Sequence, residues 1–289
     1  MDHADRVISG LSSMATRPVL AELSAHIRLA HGLPVRFEAA GGVEIARRVR
    51  EGAEADLLVL AEGALTALEK EGHLLAGTAR PLWISQVVAA VPAGSPVPAL
   101  ETEADLRTVL ESARTIAYST GPSGTALVAL IGRLGLADAL AGRLVQAPPG
   151  VPAGSLLSDG RADLAFQQHS ELMDLPGVVV AGPLPGDTAI SSTFGGGVLA
   201  SASQPRRALE VLGLLGSDES AVTARARGMR ALGPVRAIFE DRPAASDVVY
   251  RKAEDRPRTG RTRAAPTTPR DAAAVVARPR GSPGQDLGA

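Results

Sequence analysis

The chain has 289 residues, with 30 Lys plus Arg against 31 Asp plus Glu, for a net charge of −1. That balance gives no reason to expect nucleic acid as a partner. There is no cysteine, so thiol catalysis, disulfides and thiolate metal sites are excluded, and no apolar run approaches the ~20 residues needed to span a bilayer.

The opening segment Met1–Arg6 has no basic region followed by an apolar stretch. A cytoplasmic location is the expectation for the chain as written, and a periplasmic or extracytoplasmic one if a leader precedes it. Val7–Ser9 reads as a buried strand, Gly10-Leu11-Ser12-Ser13 as a turn, and Ala15–Leu29 as a helix by its apolar spacing. Val35–Ala39 leads through Gly41-Gly42 into a helix at Glu44–Glu51. Leu57–Ala61 is a short run apolar throughout, as in a strand covered on both faces. A helix at Ala64–Glu71 follows. This alternation predicts an α/β sheet.

A long strand is predicted at Ile84–Val91, ended by Pro92-Ala93-Gly94-Ser95-Pro96. Helices at Glu103–Ala113 and Ala126–Leu134 flank a strand at Thr115–Tyr118. Leu144–Ala147, a Pro-rich loop, a helix near Gly154–Ser158 and strands at Asp163–Gln167 and Val178–Ala181 come next. Ile190–Ala200 reads as a returning strand, and Gln204–Leu215 and Glu219–Gly228 as closing helices. The pattern fails beyond Gly233. Residues 234–289 hold 11 basic and 7 acidic residues with much Pro, Thr and Ala, and are expected as a disordered basic tail.

Crossings near Leu82 and Thr188 predict two lobes. Lobe I is 1–82 plus 189–233, and lobe II is 83–188. A two-strand hinge would join them around a cleft.

Small hydroxyl residues at helix starts combine side-chain oxygens with unpaired backbone N–H groups, which suits an anion. Ser12 and Ser13 form one such start. Ser119, Thr120, Ser123 and Gly124 form a second, around the tight turn at Gly121-Pro122. Taken singly, each is also what ordinary helix capping looks like. Gly41 and Gly42 permit close backbone approach to a ligand, or merely turn the chain. Gln167-Gln168-His169-Ser170-Glu171 follows a strand and should reach the same cleft. His169 and Glu171 are the candidate acid–base groups, although a structural role suits either alone. No metal-ligand spacing appears among the histidines, and no cofactor is implied. There is no Walker A loop, no Gly-x-Gly-x-x-Gly and no nucleophile elbow.

Ser12-Ser13-Met14, Gly41–Arg48, Ala55-Asp56-Leu57, Gly72-His73-Leu74, Ser119–Gly124, Gln146–Gly154 and Phe166–Met173, in this order, resemble the molybdate-binding family of bacterial ABC-transporter substrate-binding proteins. The resemblance runs from about Val7 to Met229. It implies a type II periplasmic-binding-protein fold, with mixed sheets flanked by helices. It also implies a small anion held by neutral hydrogen bonds, an ABC permease as partner, and a monomer. Ser13 matches the first-lobe hydroxyl of that family, while the second-lobe backbone donors fall near Ser123 and Val151. Gly41-Gly42 stands where the family places a Ser, and Gln168 where it places a Tyr. A carboxylate larger than molybdate fits such an amide-lined site. One branch of this fold resembles aconitate isomerase, where His169 or Glu171 would be the base. A non-catalytic anion binder is therefore the leading expectation. A small-carboxylate isomerase and a cytoplasmic ligand sensor are the alternatives.

Overall fold

The computed structural model describes residues 6–233. The tail expected at 234–289 and His3 lie outside the described residues.

Three strands open the chain: β1 (Ile8–Ser13), β2 (Val35–Ala40) and β3 (Leu57–Ala61). They are parallel, in the order β2-β1-β3, and each runs into a helix: α1 (Arg17–His31), α2 (Gly42–Arg50) and α3 (Glu62–Lys70). A 3-10 turn at Met14–Thr16 precedes α1. Gly10–Ser13, expected as a turn, is strand. Gly10 permits this, because any Cβ there would strike the Phe37 ring on β2.

β4 (Arg80–Pro92) then runs for 13 residues, longer than expected. It is followed by α4 (Glu103–Ser112), β5 (Ile116–Tyr118), α5 (Pro122–Arg133), α6 (Ala137–Leu140), β6 (Leu144–Gln146), α7 (Ser155–Ser158), β7 (Leu164–Gln168), α8 (His169–Leu172) and β8 (Val178–Pro183). The chain returns through β9 (Ser191–Val198), α9 (Pro205–Leu215), α10 (Asp218–Ala226) and β10 (Met229–Ala231). The pieces that the sequence reading missed are short: α6, α8 and β10. Three or four residues cannot display a hydrophobic period.

β4 belongs to two half-sheets. Residues from Arg80 to Gln86 pair antiparallel with β9, and Trp83–Ser85 also pair with β10. From Val87 onward the partners are β7 and β8 instead. β9 and β3 extend the first half, and β5 and β6 the second. The Val87 N–H donates to Ile190 O at 2.8 Å, so the returning chain crosses beside β4.

Each half is covered on both faces. In the first, Ile8, Val59, Trp83 and Phe194 pack under Leu20 and Leu23 of α1 and Val211 and Leu215 of α9. On the opposite face, Leu11, Leu58 and Leu60 meet Ile45 of α2 and Leu65 and Leu68 of α3. This explains why β3 is apolar at every position. In the second half, Val87, Ile116 and Phe166 pack under Leu106, Leu110, Leu127 and Ile131. Val88, Ala117 and Ala165 meet Leu156, Leu157 and Leu172 on the other face. Each large side chain buried this way contributes about 1.5–3 kcal/mol.

A buried carboxylate ties β1 to the segment that leads into α9. Asp56 accepts from Ser9 N and Oγ, from Ser203 N and Oγ, and from Gln204 N, at 2.8–3.1 Å. Burial alone would raise its pKa. The donors from Ser9, Gln204 and Ser203 outweigh that and hold it below the ordinary carboxylate value.

Candidate functional site

The strand register brings two sets of carboxyl ends to one level. Ala61, at the end of β3, lies opposite Phe194, which lies opposite Trp83 on β4. From the other half, Gln168 at the end of β7 lies opposite Val87. Both sets of parallel strands therefore end near the point where β4 changes partners. In α/β sheets, ligands sit at such ends.

The first half brings Ser13 and Gly42 together. A Cβ on Gly42 would lie 3.8 Å from Ser13 Cβ. Ser13 is buried, and its Oγ lies 3.3 Å from Thr16 Oγ1, which in turn donates to Ser13 O. Gly41 caps α2 and accepts the Ile45 N–H, so the first-turn amides of α2 open beside Ser13. Ser12 is fully buried, and its Oγ makes no hydrogen bond within the described residues.

The second half brings Ser119 and Ser123 together, with 2.9 Å between their hydroxyls. Gly121 caps α5. The Gly124 and Thr125 N–H groups both turn back to Gly121 O. Thr120 is exposed. Val151 is not free to act as the expected backbone donor: its side chain is exposed, and its N–H already donates to Pro148 O at 3.0 Å. The deeper donor of that loop is Ala153 N, which Gln167 Oε1 accepts at 2.6 Å.

Gln167 and Gln168 are both buried and do different work. Gln167 Nε2 donates to Glu171 Oε1 at 2.8 Å. Gln168 Nε2 donates across β4 to Ser192 Oγ at 2.9 Å, leaving Gln168 Oε1 without a partner. Trp83 Nε1 and Ser85 Oγ are likewise unpartnered among the described residues. Trp83, Ser85 and Val87 share one face of β4, and Gln168 and Ser192 pair with two of them. A buried seam of polar atoms with spare hydrogen-bonding capacity thus runs along the crossing.

One cavity is walled by both halves and holds about 170 Å³. Met14, Arg17 and Pro18 come from the first half, and Pro152, Ser170, Glu171, Asp174 and Leu175 from the second. At its edge Ser170 Oγ donates to Ala15 O at 2.7 Å, joining the halves directly. Ser13 adjoins this wall through Met14; Ser119 and Ser123 are not among its lining residues. Of the two candidate acid–base groups, the cavity holds Glu171. Burial pushes the Glu171 carboxyl up to about 7, against the lowering effect of the Gln167 amide. His169 packs instead against Gly228, where an added Cβ would lie 2.9 Å from its Nδ1. Burial lowers the His169 pKa, with Asp174 pulling the other way. Burial thus lowers the imidazole behind the wall and raises the carboxyl in it, each toward its uncharged form.

The sequence reading missed Arg17, the cation in the cavity wall. Its position, one turn beyond Ser13 at the start of a helix that follows a strand, was the available signal.

Comparison with known proteins agrees with this architecture. A periplasmic molybdate-binding protein of Azotobacter vinelandii superposes with a TM-score of 0.66 at 19% identity, covering 77% of this chain and 98% of that one. The sulfate-binding protein SubI of Mycobacterium tuberculosis H37Rv gives 0.65 at 17% identity, with 79% and 88% covered. These likenesses establish the type II periplasmic-binding-protein fold. An aconitate isomerase of Pseudomonas sp is 26% identical over 226 residues, which is 76% of this chain and 86% of the relative. Residues 8–230 match the family described as bacterial extracellular solute-binding protein, and the chain belongs to that family.

Proposed function

We propose that this solute-binding protein holds one small anion between its two half-sheets. The observation that carries this is the shared cavity, with Arg17 on one wall and Glu171, which accepts from Gln167 Nε2, on the other. Its volume of about 170 Å³ suits a small guest. Pockets for drug-sized ligands run to roughly 300–1,000 Å³, so the guest is an oxyanion or a small carboxylate. Ser13, next in the chain to Met14 of the cavity wall, is the neutral donor proposed from the first half. Similarity to molybdate- and sulfate-binding proteins supports the oxyanion class. Similarity to an aconitate isomerase and the amide at Gln168 support a carboxylate. As a solute receptor, the protein would hand its ligand to an ABC permease.

Thermal shift with molybdate, tungstate, sulfate, citrate and aconitate tests the reading. The true ligand at a hundred times its Kd is expected to add about 2.7 kcal/mol to stability. No response to any of the five would count against an anion site. Ser13→Ala is expected to weaken the best ligand about tenfold, the low end for one hydrogen bond to a charged group. Calorimetric titration of the variant reads this directly, and unchanged affinity would remove Ser13 from the site.

A second reading is favoured by Glu171 alone. A carboxyl titrating near neutrality inside a ligand cavity is equipped to take and return a proton. In that reading the protein shifts a double bond within a small polycarboxylate, with Arg17 holding a substrate carboxylate. Following cis- and trans-aconitate by NMR in the presence of the protein distinguishes the two. Interconversion favours the isomerase, and its absence leaves the binder.

A further inference from the structure

We propose a surface site for a divalent transition metal, with zinc as its natural probe, formed by His26, His31 and Glu219. It lies outside the cavity, and nothing in the functional reading uses it.

The donor atoms already converge. His26 Nε2 is 2.6 Å from Glu219 Oε1, and His31 Nε2 is 3.6 Å from Glu219 Oε2. One ligand atom from each residue can be chosen so that all lie within 4.8 Å of one another. Zinc bonds to imidazole nitrogen and carboxylate oxygen at about 2.0–2.2 Å, so the edges of its tetrahedron are about 3.4 Å. The separations of 2.6 and 3.6 Å to Glu219 bracket that edge length.

A simple ion pair needs one imidazole. Here two imidazoles meet edge to face, with ring centroids 6.4 Å apart at 68°, and both offer Nε2 to one carboxylate. Two imidazoles and a carboxylate form a donor set for zinc, nickel or copper, and a poor one for magnesium or calcium.

The helices that carry the three residues are anchored in the core. His26 and His31 sit on α1, whose Val19, Leu20, Leu23 and Ile27 are buried in the core. Glu219 sits in the first turn of α10, which Ser217 caps by accepting the Ser220 N–H and whose Ala224 joins the same core. All three ligand side chains remain open to solvent, at 46%, 32% and 51% exposure. An ion can therefore enter and keep water at its remaining positions. Bound there, it would tie α1 to α10. The sequence showed no metal spacing because the carboxylate arrives from 193 residues away.

The test is calorimetric titration of the untagged full chain with zinc chloride. One ion per chain is expected, with no heat from magnesium. His31→Ala and Glu219→Gln should each weaken zinc at least tenfold, and the His26→Ala/His31→Ala double variant should abolish the saturable phase. Because these side chains are exposed, the variants should fold; their unchanged circular dichroism verifies it. Cobalt gives a second readout, as a visible d–d spectrum of low-coordinate type lost in the double variant. Absence of saturable binding overturns the proposal and leaves an ion pair. So does a one-to-one phase that survives in the double variant.

Discussion

Replacing Glu171 by Gln is expected to make the protein more stable at pH 8 by roughly 3 kcal/mol, while leaving it unchanged at pH 4. The carboxyl is raised from its ordinary 4.5 to about 7 in the fold. A raised acid contributes stability that is fully present below its unfolded pKa and is lost as pH rises through its folded one. The wild-type chain should therefore weaken between about pH 5 and pH 8, and the variant should not. At about 1.4 kcal/mol per pKa unit, the shift sets the size of the effect. In a domain of this size it corresponds to roughly 6–12 °C in Tm at pH 8. His169 works in the opposite sense. Its lowered pKa gives stability present above the ordinary imidazole value and lost as pH falls, so the difference between the two profiles isolates Glu171. The amide keeps Oε1 as acceptor for Gln167 Nε2, so packing is preserved. Chemical denaturation at a series of pH values is the measurement, and parallel profiles would show that Glu171 ionises freely. Under the isomerase reading, the same variant should also lose turnover by about 10²–10⁴-fold, the usual contribution of a positioned acid–base group.

Gly124→Ala is expected to destabilise the protein by about 3 kcal/mol. A Cβ at this position would collide with the Ser119 carbonyl oxygen and lie 2.9 Å from its carbon and 3.0 Å from Tyr118 Cδ2. Two of these three obstacles are backbone, so no rotamer relieves them, and the start of α5 must move. Forcing atoms into packed space costs about 1–3 kcal/mol, occasionally more, and the backbone clash places this site at the upper end. Urea denaturation gives the stability change. A loss below about 1 kcal/mol would mean that the turn deforms freely.

Much of this fold was legible before any coordinates. The boundaries of β3 follow from five apolar residues between polar flanks, because a strand covered on both faces has no polar side to show. The fold of α1 and α9 was readable from their apolar stripes. Length was the weaker signal. β4 begins before the apolar run at Ile84 because its first residues gain their partners from β9, far along the chain. Gly10–Ser13 looked like a turn by composition, yet the glycine is there to admit Phe37.

The site was legible in parts. Ser12, Ser13, Gly42, Gln167, Gln168 and Glu171 were readable as residues following strands, and the register brings their segments to the crossing. Their individual tasks were not. Whether Gln167 or Gln168 faces the acid depends on the strand's alternation against β4, and the retreat of His169 behind the wall depends on Gly228, which arrives with β10. Arg17 escaped because its one signal, a place one turn beyond Ser13 at a helix start, does not set it apart from the chain's many other arginines. The metal cluster escaped for the same reason as β4's partners: contacts across long loops leave no local trace.

The double membership of β4 has a consequence for how this molecule could be divided. A strand hydrogen-bonded into one half at Arg80–Gln86 and into the other from Val87 onward offers no seam for a scalpel. Any fragment ending there strips backbone partners from β9 or from β7 and β8. Neither piece would retain a finished central ribbon, so this architecture belongs to one uninterrupted polypeptide rather than to two modules spliced together.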